Sequence, residues 1–185
     1  LTQCSEPVEN GELIIEGGDI LEISPQASKV NTEYTLDLSD HLLMPGFVNA
    51  HSHLSLTALE NKLSPSKNFA CWIRDLIILN TALKDEERIG GIQKGASEMK
   101  SSGVTGLADY VADSVLLDSI GSLGFRSVLF LEIIGFQDKK AEGLAKEVER
   151  IFKSHGSIWT LGIAPHAPYS VSKKLFLQLD QLSKK

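Results

Sequence analysis

From Gly46 onward, short apolar runs alternate with segments whose apolar residues recur at helical spacing, and that alternation is the strongest constraint on what this chain can fold into. The runs at 47–50, 104–108, 127–133 and 160–164 have the length and composition of strands buried on both faces. Between them Ile89, Ile92, Ala96 and Met99 keep to one helical face, as do Leu144, Val148, Ile151 and Phe152. Gly103 stops the first of these helices, and after the fourth strand Leu175, Phe176, Leu179 and Leu182 form another stripe, with Ser172 as its N-cap. About four βα units in succession predict an α/β protein with a parallel sheet.

The preceding residues read differently. Two β-prone runs, 12–16 and 19–23, flank Gly17-Gly18, a dipeptide that supplies the positive φ of a tight hairpin. Ser24-Pro25 ends this pair, and 34–38 offers one more strand before the Pro45-Gly46 turn. The expected organisation is a small β-rich segment over 1–44 and a βα region over 45–185, without internal repeats.

Composition narrows the function classes. The chain has 185 residues, 42% hydrophobic and 23% charged, with a formal net charge of −6. Acidic and basic residues are interleaved, which argues against a nucleic-acid surface and leaves small molecules as ligands. The longest apolar run, 127–135, is interrupted by Glu132 and falls short of the ~20 residues of a membrane span. Two cysteines, Cys4 and Cys71, and no signal pattern point to the reducing cytoplasm and to unpaired thiols. The chain opens at Leu1 without a Met and closes on Ser183-Lys184-Lys185 inside a helical pattern, so both ends read as cut.

The residues that carry chemistry cluster after strands. His51-Ser52-His53 follows the first strand directly, and residues two apart on an extended chain point the same way, so two imidazoles can converge on one ion. Alone, a His-x-His pair is more often a surface or turn feature. Its place at the C-terminal end of a buried strand, where barrel enzymes collect their chemistry, favours the ligand reading. His166, flanked by Pro165 and Pro168, is at first sight a third ligand. Glu132 interrupts an apolar strand, where an ionised carboxylate needs a partner, so it faces either a pocket or a capping, helix-side position. Asp109 ends the second strand as a weaker substrate contact. Phe69 and Trp72 precede a helical stretch and either line a pocket or belong to the core. His41, His155 and the Arg74/Asp75 pair read as solvated surface.

At this point the sequence resembles a known family. Met44-Pro45-Gly46-Phe47-Val48-Asn49-Ala50-His51-Ser52-His53-Leu54 is similar to the first-strand signature of the amidohydrolase superfamily. Gly103-Val104-Thr105-Gly106 resembles its second strand, and Ala164-Pro165-His166-Ala167-Pro168-Tyr169-Ser170 its fourth. The resemblance implies the N-terminal part of a (β/α)8 TIM barrel, with the preceding hairpin as a piece of the small β-rich composite domain. The His166 segment narrows the branch to deaminases and chlorohydrolases, similar to S-adenosylhomocysteine, aminodeoxyfutalosine and guanine deaminases.

The same resemblance implies one divalent metal ion, zinc or else iron, with His51 and His53 as two ligands. It places His166 toward the substrate and an aromatic residue near Trp72 along the pocket, to which Glu132 and Asp109 are added as substrate contacts by their positions at the ends of the third and second strands. The third ligand, in a His-x-x-Glu segment with the catalytic Glu, and the remaining ligand would lie beyond Lys185. The implied chemistry is attack of activated water on an aminated ring carbon. Asn80-Thr81 is neutral where ribosyl-binding members carry an acid, which weakens the case for a nucleoside substrate. Two alternatives stand beside deamination: halide displacement by the same chemistry, and a non-catalytic half-barrel that binds metal or a partner. A closed barrel needs roughly 250 residues and eight strands. The expectation for the chain alone is therefore inactivity, with a homo-oligomer or a missing C-terminal half covering its open edges.

Overall fold

The computed structural model describes residues 6–25, 30–65 and 68–184, and its contacts divide the chain into two units, Leu1–Pro45 and Gly46–Lys185. Cys4 lies outside the described residues, and Cys71 is a free thiol.

In the first unit, β1 (Glu12–Glu16) and β2 (Asp19–Ser24) form an antiparallel hairpin. Gly17 and Gly18 close it with φ of +60° and +93°, the two positive values of a type I′ turn. The expected strand at 34–38 is absent. Its Tyr-Thr-Leu-Asp-Leu alternation suits a strand, but Asp37 turns the chain locally instead: its Oδ1 accepts from the Ser39 amide at 3.0 Å, and the His41 amide donates to the Leu38 carbonyl at 2.8 Å.

Among its described residues the second unit holds four parallel strands, β3 (Phe47–Ser52), β4 (Val104–Val111), β5 (Arg126–Ile133) and β6 (Leu161–Pro165), which neighbour one another in chain order. The helices are α1 (Phe69–Ala82), α2 (Asp85–Ser101), α3 (Leu117–Gly121), α4 (Ala141–His155) and α5 (Lys173–Leu182). Sequential winding of this kind is how a βα barrel is built. Gly103 follows α2 with φ of +80°, and the Ser172 hydroxyl caps α5 by accepting from the Leu175 amide.

The two faces of the sheet are chemically distinct. Leu107 and Val111 of β4 and Leu129 and Leu131 of β5 are buried in one core with Ile92, Leu117, Ile120, Val148, Leu175 and Leu179 from the helices. Residues of the opposite parity, Ala108, Tyr110, Val128, Phe130 and Glu132, are only partly buried. No helix among the described residues is long and apolar enough to cross a membrane.

One close approach positions everything that follows β3. The chain leaves β3 in a 3₁₀ turn, Leu54–Leu59, which packs against α2 across Gly91 and Gly95. A Cβ at Gly91 would lie 2.5 Å from the Ala58 nitrogen, a backbone atom that cannot step aside. Gly90, one residue earlier, faces open space. Gly91→Ala is therefore expected to destabilise by about 1–3 kcal/mol despite the better helix former, whereas Gly90→Ala gains up to ~1 kcal/mol. Urea unfolding midpoints of the two variants check the opposite signs.

Candidate metal and substrate site

The site begins with an irregularity in β3. Asn49 pairs with Leu107 and Ser52 with Asp109, so three steps along β3 match two along β4. One extra residue is accommodated as a bulge, and the Asn49 Oδ1 accepts the His51 amide at 3.2 Å inside it. Paired residues on parallel strands share a face, so Asn49 and Ser52 both point toward the helices. The bulge shifts the phase by one, and His51 and His53 turn to the opposite face.

There the two imidazoles lie edge-on with ring centroids 5.2 Å apart. His51 stacks on Tyr110 at 4.1 Å, and Tyr110 in turn on Phe130 at 5.0 Å, so an aromatic row crosses β3, β4 and β5. The His53 Nδ1 lies 3.1 Å from the Tyr110 carbonyl oxygen. A carbonyl only accepts, so Nδ1 carries the proton, and in the neutral ring Nε2 keeps its lone pair. Such an arrangement, in which one ring nitrogen is tied to a backbone carbonyl, orients a metal-ligating histidine.

Glu132 is on the same face. Its carboxylate approaches the His53 Nδ1 to 3.9 Å and its side chain is 12% exposed, so it lies on the His51/His53 face of the sheet and not on the helix side. His166 follows β6 directly, at the same C-terminal rim. Its Nδ1 is 2.7 Å from the Ser170 Oγ, whose own hydroxyl proton goes to the Ala167 carbonyl at 3.1 Å. Nδ1 is then the donor, and the exposed ring presents Nε2 as an acceptor.

Asp109 does not lie where the sequence suggested. It has the parity of Leu107 and Val111, is 0% exposed, and faces the helices rather than the His51/His53 side. Its Oδ2 accepts from the Ser52 hydroxyl at 2.7 Å and the Leu54 amide at 2.9 Å. Burial pushes its pKa above the ordinary carboxyl value, and the bonds from Ser52 and Leu54 counteract part of that shift. Trp72 stands in the first turn of α1, stacked on an exposed Phe69 at 6.1 Å, on a helix with no fully buried residue. The strand-end cluster is thus His51, His53, Tyr110 and Glu132, with His166 on the same rim.

Tyr110, Ser52 and Asn49 are the participants that pattern reading passed over. Tyr110 had a signal: it is the strand neighbour of Asp109, so only one of the two can share a face with the histidines.

A model of the amidohydrolase family matches residues 42–185, and the chain belongs to that family. It is 29% identical over its whole length to 45% of a 5'-deoxyadenosine deaminase of Methanosphaera stadtmanae. It is 26% identical over 99% of its length to 45% of a 5-methylthioadenosine/S-adenosylhomocysteine deaminase of Bacillus cereus. The fold is similar to that of guanine deaminase from C. acetobutylicum, solved with bound guanine, with a TM-score of 0.77 over 94% of this chain and 45% of that one, at 16% identity. The chain thus spans about half the length of the curated relatives it matches, and its four strands correspond to part of an amidohydrolase barrel.

Members of this family are typically metal-dependent, and the donor set here suits a divalent ion. His51 and His53, two imidazoles with ring centroids 5.2 Å apart at the end of β3, are the residues that would hold such an ion. Among the described residues no group of three or more His, Cys, Asp or Glu side chains is placed to hold an ion, so the pair is an incomplete ligand set.

The His166 assignment has a direct check. In long-range ¹H–¹⁵N spectra of the imidazoles, His166 is expected as the Nδ1–H tautomer in the wild type, and Ser170→Ala is expected to give a mixture of tautomers.

Proposed function

We propose that this chain contributes the first half of a metal-dependent hydrolytic deaminase acting on an aminated purine or purine nucleoside. The observation that carries the reading is the His51/His53 pair, turned to one face by the β3 bulge and fixed by the Tyr110 carbonyl with the His53 Nε2 free. Its relatives by sequence are named as deaminases of adenosine derivatives, which supports this substrate class against the neutral Asn80 at the end of α1. In this reading His51 and His53 hold the ion. When bound, the ion supplies the Lewis acidity that makes water a nucleophile near neutral pH.

The chain's own residues then orient the substrate. His166 offers its Nε2 as an acceptor to a ring N–H or hydroxyl at the C-terminal rim. Glu132, partly buried beside His53, is placed to accept from the exocyclic amine or to hold the His53 ring. The Tyr110 and Phe130 rings supply a flat apolar wall. Trp72 remains a candidate for the pocket's outer edge.

The test uses the protein that carries this chain, purified with its metal. Ammonia release is expected from 5'-deoxyadenosine or 5-methylthioadenosine. His51→Ala and His53→Ala should each lower bound zinc or iron at least about tenfold, measured by elemental analysis. Unchanged metal content in both variants would remove the central assignment, and chloride release from a chlorinated heterocycle without any ammonia release would transfer the protein to the halide-displacing class.

A further inference from the structure

Asp109 is the one fully buried charged side chain among the described residues, and it lies on the face of the sheet away from the candidate site. A carboxylate in such a place is costly unless it is used. Its single engaged oxygen, Oδ2, accepts from Ser52 and Leu54, the two residues that bracket His53 in the chain. Its other oxygen, Oδ1, is buried with no hydrogen-bond partner.

From the opposite face of the same strand, Tyr110 holds the His53 ring through its carbonyl and lies flat against His51. Adjacent residues of β4 therefore grip the His-Ser-His-Leu segment from both sides of the sheet. The contact from Tyr110 needs only its backbone and ring. The contact from Asp109 depends on a side-chain acceptor: the Leu54 amide donates to Oδ2, and the Ser52 hydroxyl, with its single proton, lies closer to Oδ2, at 2.7 Å, than to its other acceptor, the Ala108 carbonyl, at 3.1 Å.

We propose that Asp109 is a positioning residue that fixes the His51/His53 pair from behind the sheet, through one oxygen acting as a double acceptor. It touches neither substrate nor ion. The inference rests on the reading of His51 and His53 as ligands only for its effect on metal affinity; its effect on the His53 ring is independent of that reading. Because one oxygen receives both donors, Asn at 109 can supply the same acceptor with its amide carbonyl, whereas Ala cannot.

Three variants, Asp109→Ala, Asp109→Asn and Ser52→Ala, are compared with the wild type by imidazole ¹H–¹⁵N spectra without metal and by titration with Zn²⁺ alone. His53 is expected as the Nδ1–H tautomer in the wild type and in Asp109→Asn, and as a mixture in Asp109→Ala. Zinc affinity should fall about 10- to 100-fold in Asp109→Ala, stay within about threefold in Asp109→Asn, and fall between these limits in Ser52→Ala. An unchanged His53 spectrum in a folded Asp109→Ala overturns the proposal, as does an Asp109→Asn spectrum as disturbed as that of Asp109→Ala. Should Asp109→Ala not fold, the other two decide: wild-type spectra and affinity in Ser52→Ala would reduce Asp109 to a packing role and overturn the proposal. If the wild type binds no zinc, the ligand reading fails while the His53 tautomers still decide the role of Asp109.

Discussion

The arrangement at the end of β3 depends on one extra residue between Asn49 and Ser52. Strand residues alternate faces, so a regular β3 in register with β4 at Asn49 would carry His51 and His53 on the same side as Leu107, buried against α2. The bulge spends one residue to reverse that phase. It is stabilised locally by the Asn49 side chain, which takes up the His51 amide that the disturbed ladder leaves over. The stacking of His51 on Tyr110 and the proximity of His53 to Glu132 follow from that reversal.

The packing behind the sheet makes the reversal durable. Leu54 is buried next to His53, and the 3₁₀ turn that it begins is pressed against α2, where Gly91 and Gly95 leave no room for side chains. The polar bond network at Asp109 sits within this apolar layer. The site is therefore supported by groups that never meet solvent, while the side chains that face the open side are few and partly exposed.

Much of this was legible in the sequence because it rests on period and on chemistry-bearing residue types. The four strands and the helices α2, α4 and α5 follow from apolar spacing, the hairpin from Gly17-Gly18, and the histidine pair from its position after a buried strand. The extra strand at 34–38 failed because a single Asp can redirect the backbone into a turn, which alternation does not register. The face of Asp109 differs from its sequence expectation for another reason. Its neighbours two residues away, Leu107 and Val111, are both apolar and announce a helix-facing row, and strand parity, not nearness to the strand end, sets its face. The bulge was not legible at all, since register is a property of two strands and nothing within β3 records it.

Among the described residues the strand that β3 is hydrogen-bonded to is β4. Separation of these two strands and loss of the histidine geometry are then one event with one free energy, the cost of opening the β3–β4 ladder together with the bonds at Asp109 and Tyr110. Solvent exchange at the β3 amides and the fraction of molecules with an assembled pair should report the same equilibrium. In that sense the local stability of the β3–β4 ladder sets an upper limit on the fraction of molecules that hold an assembled histidine pair at any instant.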